Sequence, residues 1–109
     1  MADQQALDLV QEEKYLQFND MVEASANPID LSGAHLRGYD LRKFQLSNAN
    51  LSGAYLRGSD LRGLDLSQAN LEGASLRDAK VSGVLFPKTI LPEELMLSLT
   101  HGTRLRYQS

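Results

Sequence analysis

The sequence contains no cysteine, so neither a disulfide framework nor a thiolate metal site can hold its fold together. It also lacks any run near the roughly 20 apolar residues that span a bilayer, because polar residues interrupt its apolar stretches every few positions. Its first residues are acidic, whereas a secretory signal has a basic start followed by an apolar run. These absences predict a cytoplasmic protein that is stabilised by packing and does not insert into membranes.

Residues suited to catalysis are also scarce. Only two histidines occur, His35 and His101, and their separation along the chain predicts that they lie far apart. A Ser-His-Asp arrangement needs side chains within hydrogen-bond reach of each other. Asp40 and Asp60 are expected to lie close together, but arginines beside them favour ion pairing over metal binding. We therefore expect no enzymatic activity, no catalytic residue, no metal site and no cofactor.

The length of 109 residues suits one domain with one modest hydrophobic core. The net charge of −3 is unevenly distributed along the chain. Residues 1–27 carry six acids and one base, whereas residues 28–86 carry seven bases and six acids. An acidic N-terminal segment therefore precedes a nearly neutral body.

One apolar residue recurs every five positions through the middle of the chain. A period of five fits neither the helical period of 3.6 nor the strand period of 2. It fits a short extended piece followed by a turn, and glycine often lies two positions after the apolar residue, where a turn needs a positive φ. We predict that the twelve recurring residues form the core: Leu31, Leu36, Leu41, Leu46, Leu51, Leu56, Leu61, Leu66, Leu71, Leu76, Val81 and Phe86.

A longer repeat of twenty residues lies on top of the period of five. Residues 30–49 and 50–69 are identical at 13 of 20 positions. Four five-residue units per coil predict a square cross-section, and about 60 residues then give three coils with parallel backbone pairing, stacked about 4.8 Å apart. The spacing therefore predicts a mainly β fold, a quadrilateral parallel β-helix of about three coils of four pentapeptides.

The pattern Ala-(Asp/Asn)-Leu-X-X recurs in the units ANLSG at 49–53, SDLRG at 59–63 and ANLEG at 69–73. With these units the chain resembles pentapeptide repeat proteins over about residues 29–86. The resemblance implies a right-handed quadrilateral β-helix and a bacterial source. It implies much less about function, because a fold does not by itself specify an activity.

The segments on either side of the repeat are predicted to cover its open ends, since unpaired edges invite aggregation. Residues 1–27 lack glycine and proline and carry an apolar stripe at helical spacing, which predicts one N-terminal capping helix that ends before Pro28. Pro92 and Gly102 mark the ends of a short C-terminal helix. The expected single domain thus comprises the capping helix in 1–27, the repeats in 28–87, and a C-terminal cap and tail in 88–109, with a strand or a disordered end after the helix.

Outward side chains twenty residues apart are expected to stack in ladders, one of Arg37, Arg57 and Arg77 and another of Arg42 and Arg62. Two interpretations fit these ladders. They form either a salt-bridge surface that Asp40 and Asp60 neutralise, or a face that recognises anions through guanidinium forks. The candidate partner-binding face consists of Arg37, Arg57, Arg77, Arg42, Arg62 and Tyr55.

Three functions remain open at this point. The first is a non-enzymatic protein–protein interaction or scaffold module that uses the arginine face, preferably against an acidic protein. The second, implied by the resemblance to some family members, is a DNA mimic that inhibits or protects DNA gyrase. This chain departs from those family members in its basic stripe, its three coils and the leucines at the central positions of its units. The third is a structural subunit of a larger bacterial assembly.

The expected partner is a protein of unspecified identity. Overall acidity and a shortage of exposed aromatic residues count against nucleic acid as the partner. Leu9 and Leu16 lie on the side of the N-terminal helix opposite its capping stripe. They predict either a homodimer through this helix or a helix end folded deeper into the cap, and the C-terminal cap is a second candidate dimer surface.

Overall fold

The computed structural model describes residues 2–108, which form a body measuring 35 × 27 × 25 Å. Three α-helices lie outside the repeat region: α1 (Gln4–Gln11), α2 (Tyr15–Ala24) and α3 (Pro92–His101). Between α2 and α3 the chain consists of turns joined by isolated parallel bridges. No helix within residues 2–108 has the length and apolar character needed to cross a bilayer.

The prediction of a mainly β fold, a quadrilateral parallel β-helix, is wrong. Within residues 2–108 the structure has single bridging residues but no strand and no sheet, and its regular elements are the three helices. The physical reason is that each five-residue unit turns too soon. Leu31, for example, accepts a hydrogen bond from the backbone N–H of Ala34, and Gly33 between them has φ +68°. At most one residue per unit therefore forms a bridge to the unit twenty residues later, although other residues of the unit, such as Gly33, also donate across to it.

The bridges nevertheless join residues that are twenty positions apart. Asp30 pairs with Asn50, which pairs with Asn70, and the same relation holds from His35 to Tyr55 and onward. Backbone hydrogen bonds on either side of each bridge join residues 21 or 19 positions apart, as from the Asn50 N–H to the Ile29 carbonyl and from the Leu31 N–H to the Asn50 carbonyl. We call each run of twenty residues between bridge partners a layer.

The interior of the stacked layers is apolar. Ten of the leucines that recur every five residues are at most 1 % exposed, and small alanines such as Ala54 and Ala74 are buried beside them. Val81 and Phe86, at the end of the repeat, are only partly buried and pack against this core. The ten buried leucines are Leu31, Leu36, Leu41, Leu46, Leu51, Leu56, Leu61, Leu66, Leu71 and Leu76.

The N-terminal cap contains two helices where one was predicted. After α1 the N–H of Lys14 donates to Leu9 and that of Glu13 to Val10, and Glu13 has φ +60°. This is the hydrogen-bond pattern that ends a helix at a left-handed residue, a place usually taken by glycine. The sequence has glutamate there, so it gave no signal for the break. The two helices bury Ala6, Val10 and Phe18 against the first layer.

Polar groups of both caps pair with backbone groups at the ends of the stack. At the first layer the Asn19 side chain donates to the Lys43 carbonyl and accepts from the Gln45 N–H. At the last layer the Leu71 N–H donates to the Tyr107 hydroxyl and the Leu76 N–H to the buried Ser98 hydroxyl. The caps therefore satisfy donors and acceptors that a further layer would otherwise have paired.

The C-terminal helix begins with Pro92 in its first turn and ends at Gly102, which has φ +73°. The tail after it, described as far as residue 108, is neither a strand nor detached from the body. Leu105 is 1 % exposed, donates its N–H to the Ala74 carbonyl and accepts from the Gly73 N–H. The tail thus lies along one edge of the last layer.

Candidate functional site

The two predicted arginine ladders differ in their surroundings. In the ladder of Arg42 and Arg62, Arg42 donates to both carboxylate oxygens of Asp40 at 2.9 and 2.8 Å. Its Nε also lies 3.3 Å from Asp60. Arg62 makes the same two-pronged contact with Asp60, again at 2.9 and 2.8 Å. Both arginines are therefore neutralised by carboxylates of their own column.

The geometry of these pairs arises within three consecutive residues. The backbone N–H of Arg42 donates to an oxygen of Asp40, and the backbone N–H of Arg62 donates to an oxygen of Asp60. Each carboxylate is therefore held next to the arginine two positions later in the chain. The guanidinium of the same residue then reaches both oxygens. A fork of this kind is the strongest arrangement for an arginine and a carboxylate.

These contacts lower the pKa of both carboxyl groups. The hydrogen bonds from the Arg62 side chain lower the pKa of Asp60 to about 2, against the opposing effect of burial. The Asp60 side chain is only 12 % exposed. The hydrogen bonds from Arg42 hold the pKa of Asp40 well below its ordinary value. Both carboxylates stay ionised at neutral pH.

We expect acid to weaken the fold through Asp60. The pKa of Asp60 in the folded protein lies below its ordinary value of 3.8. The ion pair of Asp60 with Arg62 therefore stabilises the fold fully above pH 3.8. This contribution is lost as pH falls from 3.8 through about 2. The urea midpoint of the protein should therefore drop between about pH 5 and about pH 2 by more than that of Asp60→Asn. Asp20→Asn, a control at an exposed position, should follow the unaltered chain, and equal drops in all three proteins would contradict the prediction.

The ladder of Arg37, Arg57 and Arg77 is not neutralised in this way. Within residues 2–108 no carboxylate lies within 4.0 Å of the Arg37 or Arg57 guanidinium, and Arg77 only approaches Asp78 at 3.9 Å. The residues two positions before these arginines are His35, Tyr55 and Ser75, where the neutralised ladder has aspartates. The free ladder is thus a stripe of positive charge on a chain with a net charge of −3.

This ladder forms one wall of a pocket of about 290 Å³. The opposite wall comes from the end of α3 and the tail, which bring a fourth arginine, Arg104, and the imidazole of His101 to the ladder. No acidic residue lines the pocket. The residues that line it are Arg37, Tyr55, Arg57, Ser75, Arg77, His101, Gly102 and Arg104.

Arg104 is held in place by three contacts. It donates to the Gly73 carbonyl at 3.0 Å and to the Tyr55 hydroxyl at 2.8 Å, and its guanidinium lies 5.2 Å from the centre of the Tyr55 ring. Tyr55 itself stacks on His35, with ring centres 4.8 Å apart and planes 6° apart. Tyr55 therefore supports a cation and is not an open aromatic platform.

The base of the Arg77 side chain lies close to Gly102. A Cβ atom on Gly102 would lie 3.2 Å from Cδ and 3.3 Å from Cβ of Arg77, so only glycine lets the end of α3 pass so near this side chain. Ser75 donates to the Gly102 carbonyl at 3.0 Å and ties the same turn to the layer. The turn at the end of α3 is therefore held against the layer at this point.

The structure brings together four of the six residues predicted for the partner-binding face, namely Arg37, Arg57, Arg77 and Tyr55. It places Arg42 and Arg62 in the neutralised ladder instead. Arg104 and His101 were missed by the sequence prediction, because only the return of the tail to the layers brings them there. The signal that separates the ladders is present in the sequence as an aspartate two residues before Arg42 and Arg62.

The other predicted surfaces are exposed to different extents. Leu16 on α2 is 66 % exposed, whereas Leu9 on α1 is partly buried against the core. On α3, Met96 and Leu97 are exposed and border a groove of about 520 Å³. Homodimerisation through either cap stays a prediction. Across residues 2–108 no three His, Cys, Asp or Glu side chains are grouped so that they could hold a metal ion.

Comparison with known families gives one match. The family described as "Pentapeptide repeats (8 copies)" matches residues 29–68 and 49–86, which together cover the whole layered region. The comparisons with curated proteins and with solved structures found no match.

Proposed function

This chain belongs to the pentapeptide repeat family, and from that premise we propose that it is a non-enzymatic module that binds an acidic protein partner through Arg37, Arg57 and Arg77. We call these three residues the arginine face. The single observation that carries the proposal is the contrast between the two ladders. One is neutralised within its own column, and the other has two arginines without a carboxylate partner in the described chain.

Charge complementarity is the physical basis of the proposal. Guanidinium groups that stack one layer apart repel one another, and an acidic surface relieves this repulsion while it accepts their hydrogen bonds. Such a stripe also steers an oppositely charged partner toward the face at low ionic strength. The folded layers hold the backbones of the three arginines in register, so only their side chains need ordering on binding.

Two substitutions test the arginine face. Arg37→Gln/Arg57→Gln is expected to weaken partner binding about tenfold or more, which corresponds to about 1.4 kcal/mol. The control Lys14→Gln/Lys88→Gln removes the same charge at exposed positions outside the pocket. Immobilised protein of each kind would capture partners from a lysate of the source organism, and captured proteins would be identified by mass spectrometry and titrated at two salt concentrations.

The expected result is a partner with an acidic surface that the control retains and the double variant loses, with weaker binding at higher salt. A partner captured equally well by all three proteins would overturn the proposal. So would a captured partner whose affinity does not change with salt.

The gyrase-directed DNA mimic is the weaker proposal. A mimic of DNA needs negative charge at the positions of phosphates, but the aspartates at 40 and 60 are paired with arginines and the adjacent side carries only arginines in its ladder. The structure offers no specific observation in favour of this role. The interaction module therefore stands as the proposed function.

A further inference from the structure

The pocket beside the arginine face concentrates positive charge. Four guanidinium groups and one imidazole line a space of about 290 Å³, without a lining carboxylate. A carboxylate offers two acceptor oxygens and a single negative charge. A phosphoryl group has three strong acceptor oxygens and a charge of about −1.5 to −2 at neutral pH, so it can accept from several arginines together.

One donor of the pocket, Arg104, is already held by hydrogen bonds to the Gly73 carbonyl and the Tyr55 hydroxyl. The base of the Arg77 side chain lies close to Gly102. The Tyr55 hydroxyl accepts from Arg104, and its own hydrogen has no acceptor within the described residues, so it is free to donate toward the pocket. Fixed donors lose little conformational entropy on binding, which favours a small, highly charged group.

On the basis of the function proposed for the arginine face, we propose that this pocket binds a phosphate group carried by the partner. Arg57 and Arg77 supply the layered side of the site, and Arg104 with Tyr55 supplies the side formed by the tail. The pocket volume of about 290 Å³ lies at the lower limit for ligand pockets and leaves room for a phosphoryl group together with part of the side chain that carries it. Arginine clusters are a common means of recognising phosphorylated segments.

The same chemistry has two possible sources, a phosphorylated side chain and free inorganic phosphate. The full chain would be titrated with three probes, and binding would be measured by calorimetry and by the NMR shifts of pocket residues. The probes are inorganic phosphate, an acidic peptide with one phosphoserine, and the same peptide with glutamate at that position. We expect the phosphoserine peptide to bind at least about tenfold more tightly than the glutamate peptide, since a phosphoryl group carries more negative charge and one more acceptor oxygen than a carboxylate.

Variants at Arg104 place the binding in this pocket. Arg104→Gln should lower the affinity for the phosphoserine peptide about tenfold or more, and Lys88→Gln, which removes the same charge outside the pocket, should leave it unchanged. Arg104→Lys keeps the charge but loses the fork, and we expect an intermediate loss. Far-UV circular dichroism of each variant would establish that it is folded.

The outcomes separate this inference from the proposed function. Equal affinity for the phosphoserine and glutamate peptides, or phosphoserine affinity unaffected by Arg104→Gln, overturns the phosphate site. If Arg37→Gln/Arg57→Gln still abolishes binding of the acidic partner in that case, the arginine face stands without it. Inorganic phosphate binding as tightly as the phosphoserine peptide would support the site and identify the free anion as its ligand.

Discussion

Replacing Leu56 with alanine is expected to lower the free energy of unfolding by about 2–5 kcal/mol. Leu56 lies in the middle of the stacked layers and is fully buried. The substitution removes apolar contacts and leaves a cavity that the layers above and below cannot fill, because each is held in place by its own bridges and turns. Urea denaturation followed by far-UV circular dichroism would measure the loss.

Leu85→Ala is the matched control, because it makes the same chemical change at a side chain that is 59 % exposed. We expect this control to change the free energy of unfolding by no more than about 0.5 kcal/mol. Similar losses in the two variants would show that position in the five-residue unit does not decide which leucines form the core.

Replacing Phe18 with alanine is expected to cost about 3–5 kcal/mol in the free energy of unfolding. Phe18 is fully buried and meets the ring of Phe44 edge to face, with ring centres 5.3 Å apart. It is the largest fully buried side chain of α2. Its loss would therefore detach the N-terminal cap from the first layer as well as leave a cavity.

The control is Leu16→Ala on the same helix, where the side chain is 66 % exposed and the expected change is within about 0.5 kcal/mol. Thermal unfolding and hydrogen exchange would both be measured. If Phe18→Ala speeds exchange only in α1 and α2 and leaves the stability of the layers unchanged, the cap is not required to cover the stack, contrary to our expectation.

The two stability predictions bear on function because the arginine face depends on the layers. Arg37, Arg57 and Arg77 each follow a buried leucine directly in the chain. Packing of those leucines therefore fixes the positions of the arginines that follow them. A variant that loosens the core should also disperse the charge of the face, whereas the surface variants leave its support intact.

The sequence was sufficient to identify the repeat and its buried leucines, because a period of five places one apolar side chain per unit on the same side of the chain. It was misleading about secondary structure. We inferred strands from the extended pieces, but the hydrogen bond that closes each turn leaves one bridging residue per unit. The single N-terminal helix was wrong for a different reason, since Glu13 takes a left-handed conformation that glutamate does not signal.

The candidate site was only partly predictable. Twenty-residue spacing was enough to group Arg37, Arg57 and Arg77, since neighbours in adjacent layers are fixed by the repeat. The same spacing also groups Arg42 with Arg62, and it does not distinguish this ladder from the arginine face. Their difference depends on local pairing with the aspartates two residues earlier, a contact between side chains that a count of positions does not report.

The sequence by itself determined the family, the layer spacing and the buried leucines, because these follow from short-range periodicity. Only the tertiary structure decided that Arg104 and His101 complete a pocket with the arginine face. Arg104 lies 49 residues from Tyr55 in the chain, and its hydrogen bond to the Tyr55 hydroxyl depends on how α3 and the tail fold back over the last layer. The sequence repeat does not predict this path of α3 and the tail. It is determined by packing of the cap and by the hydrogen bonds of Ser98, Leu105 and Tyr107.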